Sequence, residues 1–423
     1  MKKHILLAAL LTATAGTALA QQKTTITYWQ YDFATKVKLV NELIPEFEKA
    51  NPDITVKQET FPYDSFIAKV TSAVSAGQGP DVVNLFYGWI PQFVSQGVLQ
   101  PLPTAAFPAK ALETSIGSLI KTSQVGGKYY AVPTAVRTLA VFYNKDLFKA
   151  AGITKVPTTW DELAAAAQKI QKREGSRTQV AGIALQPGGQ DHHIIREVLV
   201  RQFGGKPYTT DLKQITYNSE AGQKAFRYYT DLIKRGGTFG DEMFPGAGSP
   251  YRDAFIAGRA GMIIDGSFAI GSIRNGAKFN WGVFPLPTLT KGGLRSNFSS
   301  YWVHGITRNA NNTAKVDAST RWLKFLTSEA VQRRWLAAIG ELPANTALAN
   351  EPALRKDPIY GPFISALPFA HSTFFVDEAG QRKALMDAVN SVWLNNADPA
   401  VALANAAKAE QQILSDYWKN APK

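Results

Sequence analysis

Strand-like and helix-like patterns alternate along this chain, and that alternation limits its architecture more than any other feature. Thr25-Ile26-Thr27-Tyr28-Trp29 has strand character, and the apolar residues Val37, Val40, Leu43, Ile44 and Phe47 that follow share one helical face. Asn51-Pro52 stops that helix, and Ile54 and Val56 open a second strand. Phe66, Ile67, Val70 and Val74 then line another helix, Gly77-Gln78-Gly79-Pro80 turns the chain, and Val82 to Phe86 reads as a buried strand. The pattern restarts at Thr159 and Glu162, a capping-box pair that opens a helix through Lys172, before a strand from Val180 to Leu185. Further helical blocks run from Thr313 to Ala338, where Trp322, Leu323, Phe325 and Leu326 supply an apolar face, and from Ala379 to Trp418. Alternation of this kind predicts an α/β fold with parallel strands, and its restart predicts two lobes.

Length agrees, because about 400 residues exceed what one core usually organises. The first 20 residues are set aside from that count. Met1-Lys2-Lys3-His4 is basic, Ile5 to Leu11 is apolar, and small residues end in Ala18-Leu19-Ala20, the layout of a cleavable secretion signal. The chain has no cysteine, which excludes disulfides, thiolate metal sites, a cysteine nucleophile and lipid attachment at an N-terminal cysteine. A periplasmic location is the expectation. Losing Lys2 and Lys3 takes the formal charge from +13 to +11, but the basic residues are scattered and no basic run is interleaved with aromatics, so nucleic acid is not an expected partner.

In open α/β sheets ligands sit beyond the C-terminal ends of strands, where loops converge and helix N-termini point inward. The loops that qualify are Gln30 to Phe33, Tyr87-Gly88-Trp89, Asp191-His192 and Asp265 to Phe268.

Several segments, taken in order, resemble the extracellular solute-binding proteins of ATP-driven importers, the maltose-binding-protein-like group that carries sugars, glycerol phosphate and oligosaccharides. They are Gly79-Pro80-Asp81-Val82-Val83 leading to Gly97-Val98-Leu99, Tyr130-Ala131-Val132-Pro133 before Phe142-Tyr143-Asn144-Lys145-Asp146-Leu147-Phe148, and Pro157 to Leu163. Phe255 to Met262, Trp322 to Ala330 and Gly340-Glu341-Leu342-Pro343 complete the set. The resemblance implies a type II periplasmic-binding-protein-like fold: hinge-connected lobes with the ligand cleft between them, and three crossings near Pro133 to Arg137, Leu289 to Phe298 and Leu342 to Leu348. Residues 21–135 and 298–345 would form the first lobe, and 136–297 and 346–423 the second. A monomer that hands its solute to importer membrane subunits, without a cofactor, is what such a protein is expected to be.

Sugar recognition calls for aromatic faces against the C–H side of the ring and for charged or amide groups against its hydroxyls. Burying about 50 Å² of sugar on one ring gives on the order of 1 kcal/mol, so several rings and charge-assisted bonds must combine for micromolar binding at about −8 kcal/mol. Candidate ligand-binding residues are Tyr31 and Asp32 after the first strand, Tyr87 and Trp89 on the next loop, and Arg137 beside a crossing. Asp191, His192, Asp265, Ser267, Tyr301, Trp302 and Glu341 complete the list. Four of them have a structural alternative: Asp32 as a helix cap, Trp89 as a core plug, Arg137 and Glu341 as ion-pair members. His192-His193 does not suit a metal, because adjacent residues diverge on a strand and are not four apart on a helix. Three carboxylates in one cleft, Asp32, Asp265 and Glu341, would repel phosphate and favour a neutral polyol. A secreted glycoside-acting enzyme is the alternative class. It needs two carboxylates across one bond, while the Gly-x-Ser-x-Gly, His-Glu-x-x-His and phosphate-loop patterns are all missing.

Overall fold

The computed structural model describes residues 23–175, 177–185, 187–239 and 249–420, so the secretion segment read from residues 1–20 lies outside the described residues. β1 (Thr24–Tyr31) pairs in parallel with β2 (Ile54–Phe61) on one side and β3 (Val82–Phe86) on the other. The helix Ala34–Ala50 returns the chain from β1 to β2 and buries Leu39, Val40, Leu43 and Phe47. Beneath it, Trp322 meets Tyr28 and Phe47 edge-on, closing one core.

A 14-residue strand, β4 (Ala131–Asn144), joins the two halves of the molecule. The strands that follow include β5 (Lys172–Glu174), β6 (Arg177–Leu185), β7 (Ala260–Gly266), β8 (Trp281–Pro285), β9 (Asn297–Ile306) and β10 (Leu342–Pro343), with the short strands Gly237–Phe239 and Ala370–His371 beside β6 and β9. From Ala131 to Thr138, β4 runs antiparallel to β9 in the first lobe's sheet, and from Leu139 to Asn144 it runs antiparallel to β7 and β8 in the second lobe's. The order across both lobes is β2-β1-β3-β9-β4-β7-β6-β5. Parallel pairing, expected throughout, holds for β1 with β2 and β3 and for β6 with β7. The crossing strand β4 is antiparallel to β7, β8 and β9, and β9 is antiparallel to β3 and β4 but pairs in parallel with the short strand Ala370–His371.

The change of partners falls between Thr138 and Leu139, a few residues beyond the break after residue 135 read from the sequence. An uninterrupted strand offers no turn residue to mark that point. β10 lies against Val136 and Ala135, so two crossings run side by side.

The predicted capping box is present: Thr159 accepts from the Glu162 N–H and the Glu162 side chain accepts in return, starting the helix Trp160–Ile170. The two long helical blocks are each two helices. Ser328 caps a new helix, Glu329–Ile339, after Thr313–Leu326. Asn396, left-handed at φ 52°, and Pro399 separate Glu378–Asn395 from Pro399–Asn420. No helix among the described residues is long and apolar enough to cross a membrane.

Candidate functional site

Between the lobes lies a cavity of about 770 Å³. The C-terminal end of β1 supplies Tyr31, Asp32 and Phe33 to one wall, joined by Tyr63, Phe86, Ser300 and Trp302. Tyr31 stacks on Trp302 with ring centroids 4.0 Å apart and planes 24° apart, and Tyr63 stands edge-on to both. The facing wall carries Gln190, His192, His193, Tyr251, Arg252, Asp253 and Phe268, and Glu378 and Arg382 reach in from the helix Glu378–Asn395.

Three arginines line this space, and each is paired with a carboxylate. Arg137 stands where β4 leaves the first lobe's sheet. Its Nε donates to Glu341 Oε1 at 2.6 Å, and its Nη2 engages the same oxygen. Arg252 Nε donates to Asp265 Oδ2 at 2.7 Å, and Arg382 Nε lies 3.4 Å from Glu378. Arg137 and Arg252 both pack on Phe268, 4.4 and 5.1 Å from the ring centroid. The Arg137 and Arg252 side chains are 10% and 12% exposed, so a narrow edge of each guanidinium reaches the cavity.

Burial sets the ionisation of the walls. It works against the charge on Glu341, but Arg137, Lys36 and the Trp335 N–H outweigh it and hold the carboxyl down at about 2. Burial, with Arg196 and Arg382 nearby, pushes His192 and His193 well below the usual imidazole range, so both are neutral at physiological pH. Glu378 moves upward, for burial outweighs the pull of Arg382.

A cleft between lobes built on adjoining sheets, floored by a crossing strand and walled by rings and paired guanidiniums, suits a bound polar solute. Residues 24–333 match the model of the bacterial extracellular solute-binding protein family. The chain belongs to that family. Similar sequences include a maltotriose-binding protein of Pyrococcus abyssi (strain GE5 / Orsay), 25% identical over 82% of this chain and 72% of that protein. A galactooligosaccharide-binding protein of Bacillus subtilis (strain 168) is 26% identical over 89% of this chain and 87% of its own. Among solved structures, the GacH receptor of Streptomyces glaucescens, studied unliganded and with acarbose, superimposes with a TM-score of 0.80 at 26% identity, covering 93% of this chain and 99% of the other. A Thermotoga lettingae solute-binding protein bound with α-D-tagatose shares the fold with a TM-score of 0.79 at 24% identity, over 93% of this chain and all of that one.

In this solute-binding protein, five residues singled out from the sequence line the cleft: Tyr31, Asp32, Arg137, His192 and Trp302. Others stand one layer behind. Glu341 and Asp265 are almost fully buried and face Arg137 and Arg252 rather than the cavity, so the preference for a neutral polyol argued from three cleft carboxylates loses its basis. Ser267 is buried beside Asp265, and Asp191 packs against the Tyr229 hydroxyl. Trp89 is a core plug between Phe66, Tyr63 and Trp302, because the Tyr87–Trp89 segment is a tight helical turn rather than an open loop. Its neighbour Gly88 is required by packing: a Cβ there would sit 2.7 Å from Phe375 and 2.9 Å from Phe86. Tyr87 and Tyr301 stack on each other away from the cleft, and their hydroxyls donate to the Thr373 and Leu119 carbonyls.

The sequence reading missed Tyr63, Tyr251, Arg252, Phe298, Glu378 and Arg382 as cleft residues, and it left Phe268 as a loop end only. Arg252 had a usable signal, since Ser249-Pro250 is the pattern of a helix start. Glu378 and Arg382 look like any surface i,i+4 pair until the helix is placed.

Proposed function

We propose that this protein captures a neutral carbohydrate in the interlobe cleft and delivers it, by lobe closure, to the membrane subunits of an ATP-driven importer. The observation that carries the reading is the cleft lining itself. The buried Tyr31–Trp302 stack gives the wall an apolar edge for a sugar ring, while guanidinium edges, exposed Asp32 and Asp253, and Ser300 offer donors and acceptors to hydroxyls. Charge balance favours neutrality over an anion: Arg252 and Arg382 are each paired with a carboxylate, Arg137 shares Glu341 with Lys36, and exposed Asp32 and Asp253 offset that extra cation, so the lining as a whole holds no excess of positive charge. Relatives named for maltotriose and galactooligosaccharides, and a receptor studied with acarbose, support a sugar as the class of solute.

Within this reading the protein binds without catalysis, works as a periplasmic monomer and needs no cofactor. The lobes are divided where β4 changes partners. A thermal-shift screen of the mature chain against monosaccharides, α- and β-linked oligosaccharides and glycerol phosphodiesters, with product analysis on each hit, tests it. A stabilising sugar recovered intact supports capture. Cleaved product, or stabilisation by the phosphodiesters alone, contradicts it.

A further inference from the structure

Lys36 lies in the first turns of the helix Ala34–Ala50, yet it is fully buried under the cleft wall. Its ammonium stands in a box of rings, 4.9 Å from the centroid of Trp302, 5.3 Å from Tyr31, 5.6 Å from Phe33 and 5.8 Å from Trp335. Three of these rings line the cavity on their other sides. Its ion pair among the described residues is with Glu341 Oε1 at 3.2 Å, the oxygen that also receives Arg137. Glu341 Oε2 is taken by the Trp335 N–H at 2.7 Å. Two cations therefore share one carboxylate, beside a cavity that one of them faces.

A methionine or leucine would fill this box without the desolvation cost of an ammonium ion. A buried charge that packing does not need, and that touches the floor of a binding site, invites a functional account. Resting on the assignment of the cleft as a sugar site, we propose that Lys36 is a positioning residue. Its charge, relayed through Glu341, sets how Arg137 presents its cavity-facing edge to the solute and makes capture depend on pH.

The ionisable groups facing Lys36 are Glu341 and Arg137 on adjacent crossings, Tyr31 on β1 and His304 on β9. Burial, with Lys36 nearby, holds His304 down at about 3, so it is neutral. Burial pushes Lys36 itself down to about 7, Glu341 pulling the other way and Arg137 adding to the fall. With Lys36 protonated, the Lys36–Glu341–Arg137 cluster carries one excess positive charge. A neutral solute that fills the cleft removes water next to Arg137, which raises the cost of that excess. Binding then expels part of the Lys36 proton, and affinity rises with pH.

Two measurements test this. In mature chain labelled with [13Cε]lysine, the Lys36 resonance, identified by its loss in Lys36→Met, is titrated by NMR without ligand. We expect a midpoint near 7. Arg137→Gln should raise it by about one unit by removing a like charge, while Arg137→Lys leaves it in place as the charge-conserving control. A midpoint among the surface lysines, or one that Arg137→Gln leaves unmoved, overturns the coupling. In the second measurement, affinity for the sugar found by screening is compared at pH 6 and pH 8. Release of about half a proton tightens binding about threefold per pH unit, and Lys36→Met should abolish the trend. Equal wild-type affinity at both pH values overturns the proposal. Should no sugar bind at all, the carbohydrate reading fails, and the NMR titration still decides whether Lys36 and Arg137 are coupled.

Discussion

Glu341→Gln removes the one anion from a buried cluster that holds two cations. The carboxylate is 1% exposed and accepts from Arg137 Nε at 2.6 Å and from Trp335 Nε1 at 2.7 Å, with Lys36 Nζ at 3.2 Å. Glutamine keeps the shape but turns an N–H toward one of these donors. Breaking a buried ion pair from one side costs about 3–5 kcal/mol. The depressed Glu341 carboxyl, at about 2 against 4.5, points to a contribution of the same order, roughly 3 kcal/mol. Lys36 does not add a second penalty of that size, because at neutral pH it can shed its proton. The assay is urea unfolding of wild type and variant, followed by circular dichroism at pH 7 and at steps from pH 5 to pH 3. The folded-state value is depressed, so the wild-type contribution is complete above about pH 4.5 and fades as pH falls toward 2. The variant should be less stable by about 3–5 kcal/mol at pH 7 and lose less on acidification. A difference below about 1 kcal/mol would refute the reasoning, since it would mean that water rather than Arg137 and Lys36 satisfies this carboxylate.

Other outcomes follow from the same geometry. Asp265→Asn leaves Arg252 without its counter-ion, so calorimetric titration should show weaker binding of the neutral sugar and new or stronger binding of a glycerol phosphodiester. Lys36→Met removes an ammonium whose folded-state value lies near 7 against 10.5, so it should raise stability by several kcal/mol at pH 6, with the gain shrinking between pH 7 and pH 10.5 in urea melts. Gly88→Ala forces a methyl against Phe375 and Phe86 and should cost about 1–3 kcal/mol in the same melts. Thr159→Ala deletes one half of the capping box and should cost about 1 kcal/mol.

The sequence carried the architecture further than the site. Strands Val82–Phe86 and Ala260–Gly266 are buried at every position, which is why their apolar runs could be read at all. Tyr31, Asp32, Arg137 and Trp302 were reachable because strand ends and crossings converge on an interlobe cleft. What the chain could not reveal is direction. Asp265 sits at the expected strand end, yet its carboxylate binds the Gly266 N–H and Arg252 instead of facing the cavity, a choice fixed by register and by the helix Pro250–Ile256. Lys36 was invisible for a related reason. In a helix pattern a lysine between apolar positions reads as solvated, and only the closure of four rings over it shows otherwise.

The central claim is that the Tyr31–Trp302 wall and the paired arginines form one carbohydrate site. Calorimetric titration of the mature chain and of its Trp302→Ala variant, folded by circular dichroism, with the sugar recovered from screening tests it most directly. Losing the ring deletes its stack on Tyr31 and its packing on Arg137, worth about 1–2 kcal/mol to the wall that holds the sugar, so the account predicts micromolar binding by wild type and a loss of about fivefold to thirtyfold in the variant. Equal affinity in the two proteins would place the sugar elsewhere and contradict the account.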